Sequence, residues 1–305
     1  MSTTRLGNLL AALSFVAYGL LPLYYAPLEG AQMEEMLALR IITSAPAMLL
    51  LILVLRRPTL SLSAMWADKR SLLLCLLAST VMCTSWYSFT WALTNGQVLA
   101  ASLGFFINPL MAVALGVLFL GDRLSPAQRA AVILASAGIG YQVWQYGELP
   151  WLSLVMGGAF ALYGLIKKFI RFDALNSVMV EAMLLIPPAL AFLIWSSQTQ
   201  GLTFAAADTP TLLLYLGAGP VTLIPLVLFA LAINRTSLTM VGLMQYIEPS
   251  LQFLLATLVF AEAFDEVKAV SFGLIWLGLL LCSVEAVVGI KRRATRLPNH
   301  TSDST

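Results

Sequence analysis

Charge is what this sequence has least of. Only 10% of its 305 residues are charged and 60% are apolar, whereas soluble domains carry about 25% charged residues. A globule of this length has too few interior positions to hide that excess, so a soluble enzyme is excluded. With 17 basic against 15 acidic residues, no basic surplus exists for a nucleic acid to neutralise. Cysteine is scarce as well. Cys75, Cys83 and Cys282 each lie in an apolar run, which excludes a secreted disulfide framework and argues against a cysteine metal site. The single histidine, His300, sits in a polar tail and leaves no Ser–His pair within the apolar region. No Gly-x-x-x-x-Gly-Lys-Ser/Thr loop occurs, so the chain does not pump by hydrolysing ATP. Glu181, Glu248 and Glu285 lie on separate apolar runs at different depths and form no catalytic diad. Catalytic residues, metal and cofactor are therefore expected to be absent.

Long apolar runs are what the sequence has instead. They cover roughly 6–27, 34–55, 71–94, 98–120, 125–146, 150–167, 176–196, 211–233, 237–260 and 268–290. Each suffices for a helix across a bilayer, which takes about 20 residues. The first run has Arg5 before it and bulky Pro22, Tyr24 and Tyr25 where a cleavage site would need small residues, so it reads as a span and not as a removable leader. Placing the N-terminus in the cytoplasm puts 15 of the 17 Lys and Arg on the inner side, all but Arg40 and Lys268, as the positive-inside rule requires. Glu29, Glu34, Glu35, Glu148, Asp208, Glu262, Asp265 and Glu266 fall outside. The expected fold is an all-α membrane protein of ten transmembrane helices in a bacterial inner membrane, both termini cytoplasmic. Ala294–Thr305 is expected to be a disordered tail.

The two halves share landmarks in the same order. Phe15-Val16-Ala17-Tyr18-Gly19-Leu20 returns as Phe160-Ala161-Leu162-Tyr163-Gly164-Leu165, and Ala45-Pro46 as Ile186-Pro187. Asn108-Pro109 corresponds to Glu248-Pro249, and Asp122 to Glu262. Five spans per half invert the second copy, so residues 1–147 and 148–293 read as inverted repeats. That architecture belongs to alternating-access transporters, with the solute site near the midplane.

Chemistry at that level narrows the candidates. Pro109 and Pro249 each remove a backbone donor at mid-depth and are expected to kink their helices, either as packing features or as paired hinges. Glu248 at the bilayer centre costs about 2.5–3.5 kcal/mol even on the lenient insertion scale, so it must face protein or water. Gln245, Glu248 and Gln252 share a helix face by their spacing. Two readings stay open for Glu248: a neutral acid bonded to a neighbouring helix, or a group that binds solute or a coupled proton. In the third run Thr80, Thr84, Tyr87, Ser88 and Trp91 form a stripe that suits either an amphipathic solute or ordinary packing. Tyr18 is placed on the same cavity. Arg40 and Glu181 occupy matching, inverted positions that suit gates on opposite sides. Gly157 with Ala161, and Ser136 with Gly140, are small-xxx-small pairs suited to close helix contact.

The stretch Ala101-Ser102-Leu103-Gly104-Phe105-Phe106-Ile107-Asn108-Pro109-Leu110, with Phe119-Leu120-Gly121-Asp122-Arg123 after it, closely resembles the RarD subfamily of EamA transporters. Gln245-Tyr246-Ile247 with Pro249, then Phe253-Leu254-Leu255-Ala256, resembles its second-half motif, and Tyr163-Gly164-Leu165 with Lys167-Lys168 its middle. The resemblance covers roughly 6–290 and implies the drug/metabolite transporter superfamily, with ten helices around a central cavity. It implies a secondary transporter, an exporter of small organic solutes that are amino-acid-like or chloramphenicol-like; the alternative is a non-transporting receptor or assembly protein that reuses the same fold. It also implies that the fifth and tenth helices buttress the bundle or dimerise. Glu248 departs from the small or neutral residues expected there, so its role rests on its own burial. The candidate solute-binding residues are Tyr18, Trp91, Asn108, Gln245 and Glu248; the candidate gates are Arg40, Glu181, Pro109 and Pro249.

Overall fold

The computed structural model of the chain describes residues 3–28, 32–94, 98–147, 151–199, 201–259 and 266–295. Among them run helices α1 (Thr3–Tyr25), α2 (Met33–Val54), α3 (Leu62–Ala67), α4 (Lys69–Thr94), α5 (Val98–Leu120) and α6 (Pro126–Tyr146). These are followed by α7 (Trp151–Lys167), α8 (Ala174–Thr199), α9 (Thr209–Ile233), α10 (Leu238–Gln245), α11 (Ile247–Leu258) and α12 (Glu266–Thr295). No strand occurs among the described residues. Each apolar run falls on a helix, apart from 237–260, which is divided between α10 and α11. Glu262 and the tail from Arg296 onward lie outside the described residues. Helix α12 reaches Thr295, two residues into the segment expected to be tail.

Polar punctuation sets the helix ends. Ser125 and Gln128 close a capping box on α6, with Pro126 at its first position, and Gly147 ends the same helix at φ 83°. Only a residue without a Cβ adopts that conformation freely. Asp208 and Ser237 cap α9 and α10 by accepting from Thr211 N and Met240 N. The short α3 precedes α4, whose first turn is capped by Asp68. Bonds from the Ser71 amide and hydroxyl (3.1 and 2.8 Å) hold that carboxyl below the usual carboxylate range.

Between the caps the outer surfaces are apolar. Leu50, Leu118 and Trp144 are 62%, 76% and 85% exposed, which in water would be a broad adhesive patch and in lipid is the proper solvent contact. Among the described residues, five segments are long and apolar enough to cross a membrane: Thr3–Leu28, Glu34–Val54, Lys69–Phe89, Ala174–Thr199 and Thr209–Ile233.

The chain forms two compact units, Met1–Asp122 with Leu149–Ala263, and Arg123–Glu148 with Phe264–Thr305. In the smaller unit α6 packs on α12 through Ala131, Ala135, Gly138 and Gln142, a stripe at helical spacing. A Cβ on Gly138 would come within 3.1 Å of the Ser271 carbonyl oxygen, and Ser271 Oγ donates to Gly138 O at 2.8 Å. The contact face of α6 is thus rotated around the helix from the expected pair: Ser136 and Gly140, each one residue on from buried Ala135 and Ile139, are exposed.

In the larger unit α5 and α4 pack on α7, α1 and α2 on α9, α10 on α5, and α1 on α11. Helices α5 and α7 touch backbone to backbone: a Cβ on Gly157 would lie 2.9 Å from Asn108 N and 3.0 Å from Gly104 O. The core of this unit is aromatic. Phe229 meets Phe15 edge-on at 6.1 Å and stacks on Tyr163 at 5.8 Å.

The two expected kinks come out differently. Helix α5 runs unbroken through Pro109, held between α7 and α10, where Gly242 abuts Pro109 O. The partner helix stops at Gln245 and restarts at Ile247. Pro249 has no N–H for the Gln245 carbonyl, and its ring crowds that oxygen, so the ladder ends four residues upstream.

Candidate functional site

A cavity of ≈ 320 Å³ lies within the larger unit, lined by residues of α1, α2, α4, α5, α7 and α11. Its walls are mainly apolar and aromatic, among them Tyr25, Trp86, Phe89, Phe105 and Phe160. Arg40 and Glu248 are the charged residues on them, with Tyr18, Asn108, Ser85 and Gln252 adding polar groups. A mostly apolar hollow with a few converging polar groups is the usual form of a small-molecule site.

Each polar group is placed by its helix. The close approach of Gly19 on α1 to Leu251 and to the Glu248 carbonyl, where a Cβ would meet atoms at 2.9 and 3.2 Å, brings Tyr18 and Glu248 to the same level. The Arg40 guanidinium lies 3.5 Å above the centre of the Trp86 ring. A desolvated cation–π contact of this kind is worth about 2 kcal/mol, enough to hold an intramembrane cation against α4. Glu248 is half-buried and accepts one long bond, from Gln252 Nε2 at 3.4 Å. Ser85 Oγ is engaged with Met156 O at 2.9 Å.

Several of these groups lack partners. Tyr18 Oη, Arg40 Nε and Asn108 Oδ1 are buried without a hydrogen bond among the described residues. Leaving a buried polar atom unpaired costs about 1–3 kcal/mol, and native proteins seldom tolerate it without a use. Three such atoms on one cavity, beside a weakly bonded carboxylate, mark it as the place where polar recognition is available.

Of the residues singled out from sequence, Tyr18, Asn108, Glu248 and Arg40 are brought together here. Trp91 and Gln245 are not among the lining residues. Gln245 is buried at the end of α10 with Oε1 unpaired, and the break before Ile247 removes the continuous helix that its spacing to Glu248 assumed. On α4 the expected stripe is divided: Thr80, Thr84 and Tyr87 are exposed, the two threonines bonding carbonyls of their own helix at 2.8 and 3.0 Å, while Ser88 is buried and Trp91 half-buried. The inward face instead carries buried Cys75, Ala78, Met82 and Ser85, beside which Trp86 and Phe89 project to the cavity. That run of small and apolar residues at helical spacing was the available signal for Trp86.

Glu181 belongs to a different cluster. It is buried in α8, 2.6 Å from Lys167 Nζ, and accepts from Tyr163 Oη at 3.0 Å; Lys167 also donates to Ser177 Oγ at 2.6 Å. The sequence places Lys167 among the inner-side cations and in the middle motif and gives no sign of this pairing, since the two residues stand 14 positions apart with a turn between them.

Pro109 and Pro249 are both buried, next in sequence to Asn108 and Glu248. Tyr246 Oη, at the helix break, donates to Phe106 O at 3.3 Å and ties the break to α5. Asp122 accepts from Thr239 N at 2.9 Å, where a carboxylate complements the positive end of α10.

An apolar-surfaced helical bundle with several helices long enough to cross a bilayer defines a class, the multi-pass membrane proteins. Residues 5–142 match the EamA-like transporter family. An uncharacterized transporter of Pseudomonas aeruginosa is 38% identical over 94% of this chain and 96% of its own. The uncharacterized transporter YojE of Bacillus subtilis is 37% identical over 93% and 95%. Protein RarD of Streptomyces exfoliatus is 38% identical over 96% and 93%. The chain belongs to the EamA-like transporter family, among its RarD proteins. Its backbone also matches a solved crystal structure with a TM-score of 0.68 over 91% of this chain and 98% of that one. At 16% identity that likeness concerns the fold alone.

Proposed function

We propose that the protein is a secondary transporter of the bacterial inner membrane that exports small, amphipathic, amino-acid-like organic solutes by alternating access. Ten helices cross the membrane as two inverted repeats, 1–147 and 148–293, with both termini in the cytoplasm. The observation that supports this reading best is the set of unpaired polar atoms on Tyr18, Arg40 and Asn108 around one aromatic-walled cavity. A solute carrying both an anionic and a cationic group would pair with Arg40 and Glu248, and its apolar part would fill the space between Trp86, Phe89 and Phe105. The Tyr18 hydroxyl and the Asn108 amide would complete its hydrogen bonds.

In the basic-inside orientation, Tyr25, Met36, Leu37 and Arg40 lie toward the outer ends of α1 and α2. The cavity then opens outward, and the Lys167–Glu181 pair with Tyr163 closes the inner side. Pro249 acts as the working hinge at the α10–α11 break, with Pro109 bracing the opposite wall. Glu248 binds the solute's cation or exchanges it for a coupled proton. The test is a flux screen in proteoliposomes with amino acids, nucleosides, vitamins and chloramphenicol, with and without a pH gradient, on wild type and Glu248→Gln. Saturable flux that loses its pH dependence in the variant supports coupling; flux of none of these solutes, in protein shown to be folded, would overturn the substrate assignment.

A further inference from the structure

A second cavity, of ≈ 520 Å³, lies where the end of α2, the start of α8 and the end of α9 meet, and the transport reading makes no use of it. Arg57, Asn234 and Arg235 supply its donors, and Leu175, Ala230 and Leu231 supply apolar wall. Arg57 follows the last apolar residues of α2, and Asn234 directly follows Ile233, where α9 ends. Both therefore stand at the level of lipid headgroups, on the side where the basic residues collect.

The wall bearing Arg57 is held in place. Arg56 N donates to Leu53 O and Arg57 N to Ile52 O, each at 3.0 Å, and Arg56 takes φ 50°. These bonds form a Schellman end with arginine in the left-handed position that glycine usually fills, a strain of about 1–2 kcal/mol. The buried Asn176 amide clamps the following turn, accepting from Leu60 N and donating to Pro58 O, both at 3.0 Å. The acidic residue on the rim, Asp173, is occupied: it accepts from Leu175 N and Asn176 N, and from the Asn176 side chain. Arg235 is anchored by one bond to Leu231 O and by packing against Gly7, which leaves the rest of its planar donor fork for a ligand. Two guanidiniums and an amide suit a phosphate, which arginine binds through paired charge-assisted bonds.

We infer that this pocket binds a phosphate group, that of an anionic phospholipid in the inner leaflet. The apolar wall and the neighbouring exposed Leu53 and Val54 of α2 favour a lipid over a soluble anion, since they offer acyl chains a path beside the headgroup site. The inference is independent of the solute cavity, which none of these residues lines.

The experiment uses full-length protein in mixed micelles with phosphatidylglycerol, with phosphatidylcholine, or with inorganic phosphate and no anionic lipid. Lipid retention by native mass spectrometry and thermal unfolding are read together. Wild type should retain phosphatidylglycerol selectively, and Arg57→Gln, an exposed change that leaves the fold intact, should cut that retention about tenfold. Arg57→Gln with Arg235→Gln should abolish the selectivity. Stabilisation by inorganic phosphate that Arg57→Gln removes would confirm the phosphate site and give it to a soluble anion. Equal retention of the two lipids, or selectivity unchanged in folded Arg57→Gln without any response to phosphate, would overturn the proposal.

Discussion

The two copies of the Phe-x-x-Tyr-Gly-Leu motif carry the same tyrosine in opposite states. Tyr163 is fully engaged, donating to a glutamate that is itself paired with Lys167. Tyr18 is also buried, and its hydroxyl has no hydrogen-bond partner among the described residues. The contrast extends to the residues matched one helix later. Glu181 sits in a saturated ionic cluster, while Arg40 rests on the Trp86 ring with Nε unpaired. It extends also to the proline pair, one helix continuous and the other broken. Two similar motifs thus stand in two states, one locked into a polar cluster and the other with its hydroxyl unpaired on the cavity wall.

The sharpest way to break this comparison is to remove the lock. Lys167→Met strands a buried carboxylate, which should destabilise the solubilised protein by about 3–5 kcal/mol. Adding Glu181→Gln should recover most of that loss in thermal unfolding, because the uncompensated charge is gone. A mild effect of Lys167→Met alone would mean that the pair is not holding this end together.

Pro249→Ala restores the donor that the Gln245 carbonyl lacks and lets α10 and α11 fuse into one helix. Flux in proteoliposomes should fall clearly, and Pro109→Ala should slow it less, because α5 is already continuous. Equal effects, or none in the double variant, would reduce both prolines to packing features.

The tyrosines allow the finest test. Tyr163→Phe removes a bond to an ionised partner and should cost about 1.5–3 kcal/mol. Tyr18→Phe removes no bond and should leave stability within about 0.5 kcal/mol, while raising the apparent Michaelis constant for the transported solute. A reversal of that order would show that the two copies are not divided in this way.

Much of this architecture was legible in the sequence, for a physical reason. Apolar runs of bilayer length are averages over many residues, and most helix boundaries fall close to theirs, although 237–260 divides between α10 and α11 and α12 runs on to Thr295. Arg40, Tyr18, Asn108 and Glu248 were found because an intramembrane polar group is costly and so stands out against its surroundings. Trp86 was missed because an aromatic in an apolar run carries no such cost, and only the helical phase fixed by Ala78, Met82 and Ser85 separates its face from that of Tyr87. Gln245 was assigned to the Glu248 face on the assumption of an unbroken helix, and the break depends on how tightly neighbours hold each proline. The Lys167–Glu181 pair joins two helices, and no single-helix pattern announces it.

In the proposed transport cycle the cavity lined by Arg40 opens outward and receives the transported solute. This is tested most directly with a single cysteine at Leu37, a cavity-lining residue of α2, in a background lacking Cys75, Cys83 and Cys282. In intact cells an impermeant maleimide should modify Leu37→Cys, and a saturating concentration of the transported solute should slow the modification several-fold. Labelling that solute does not slow, or that requires access from the cytoplasmic side, would contradict the account.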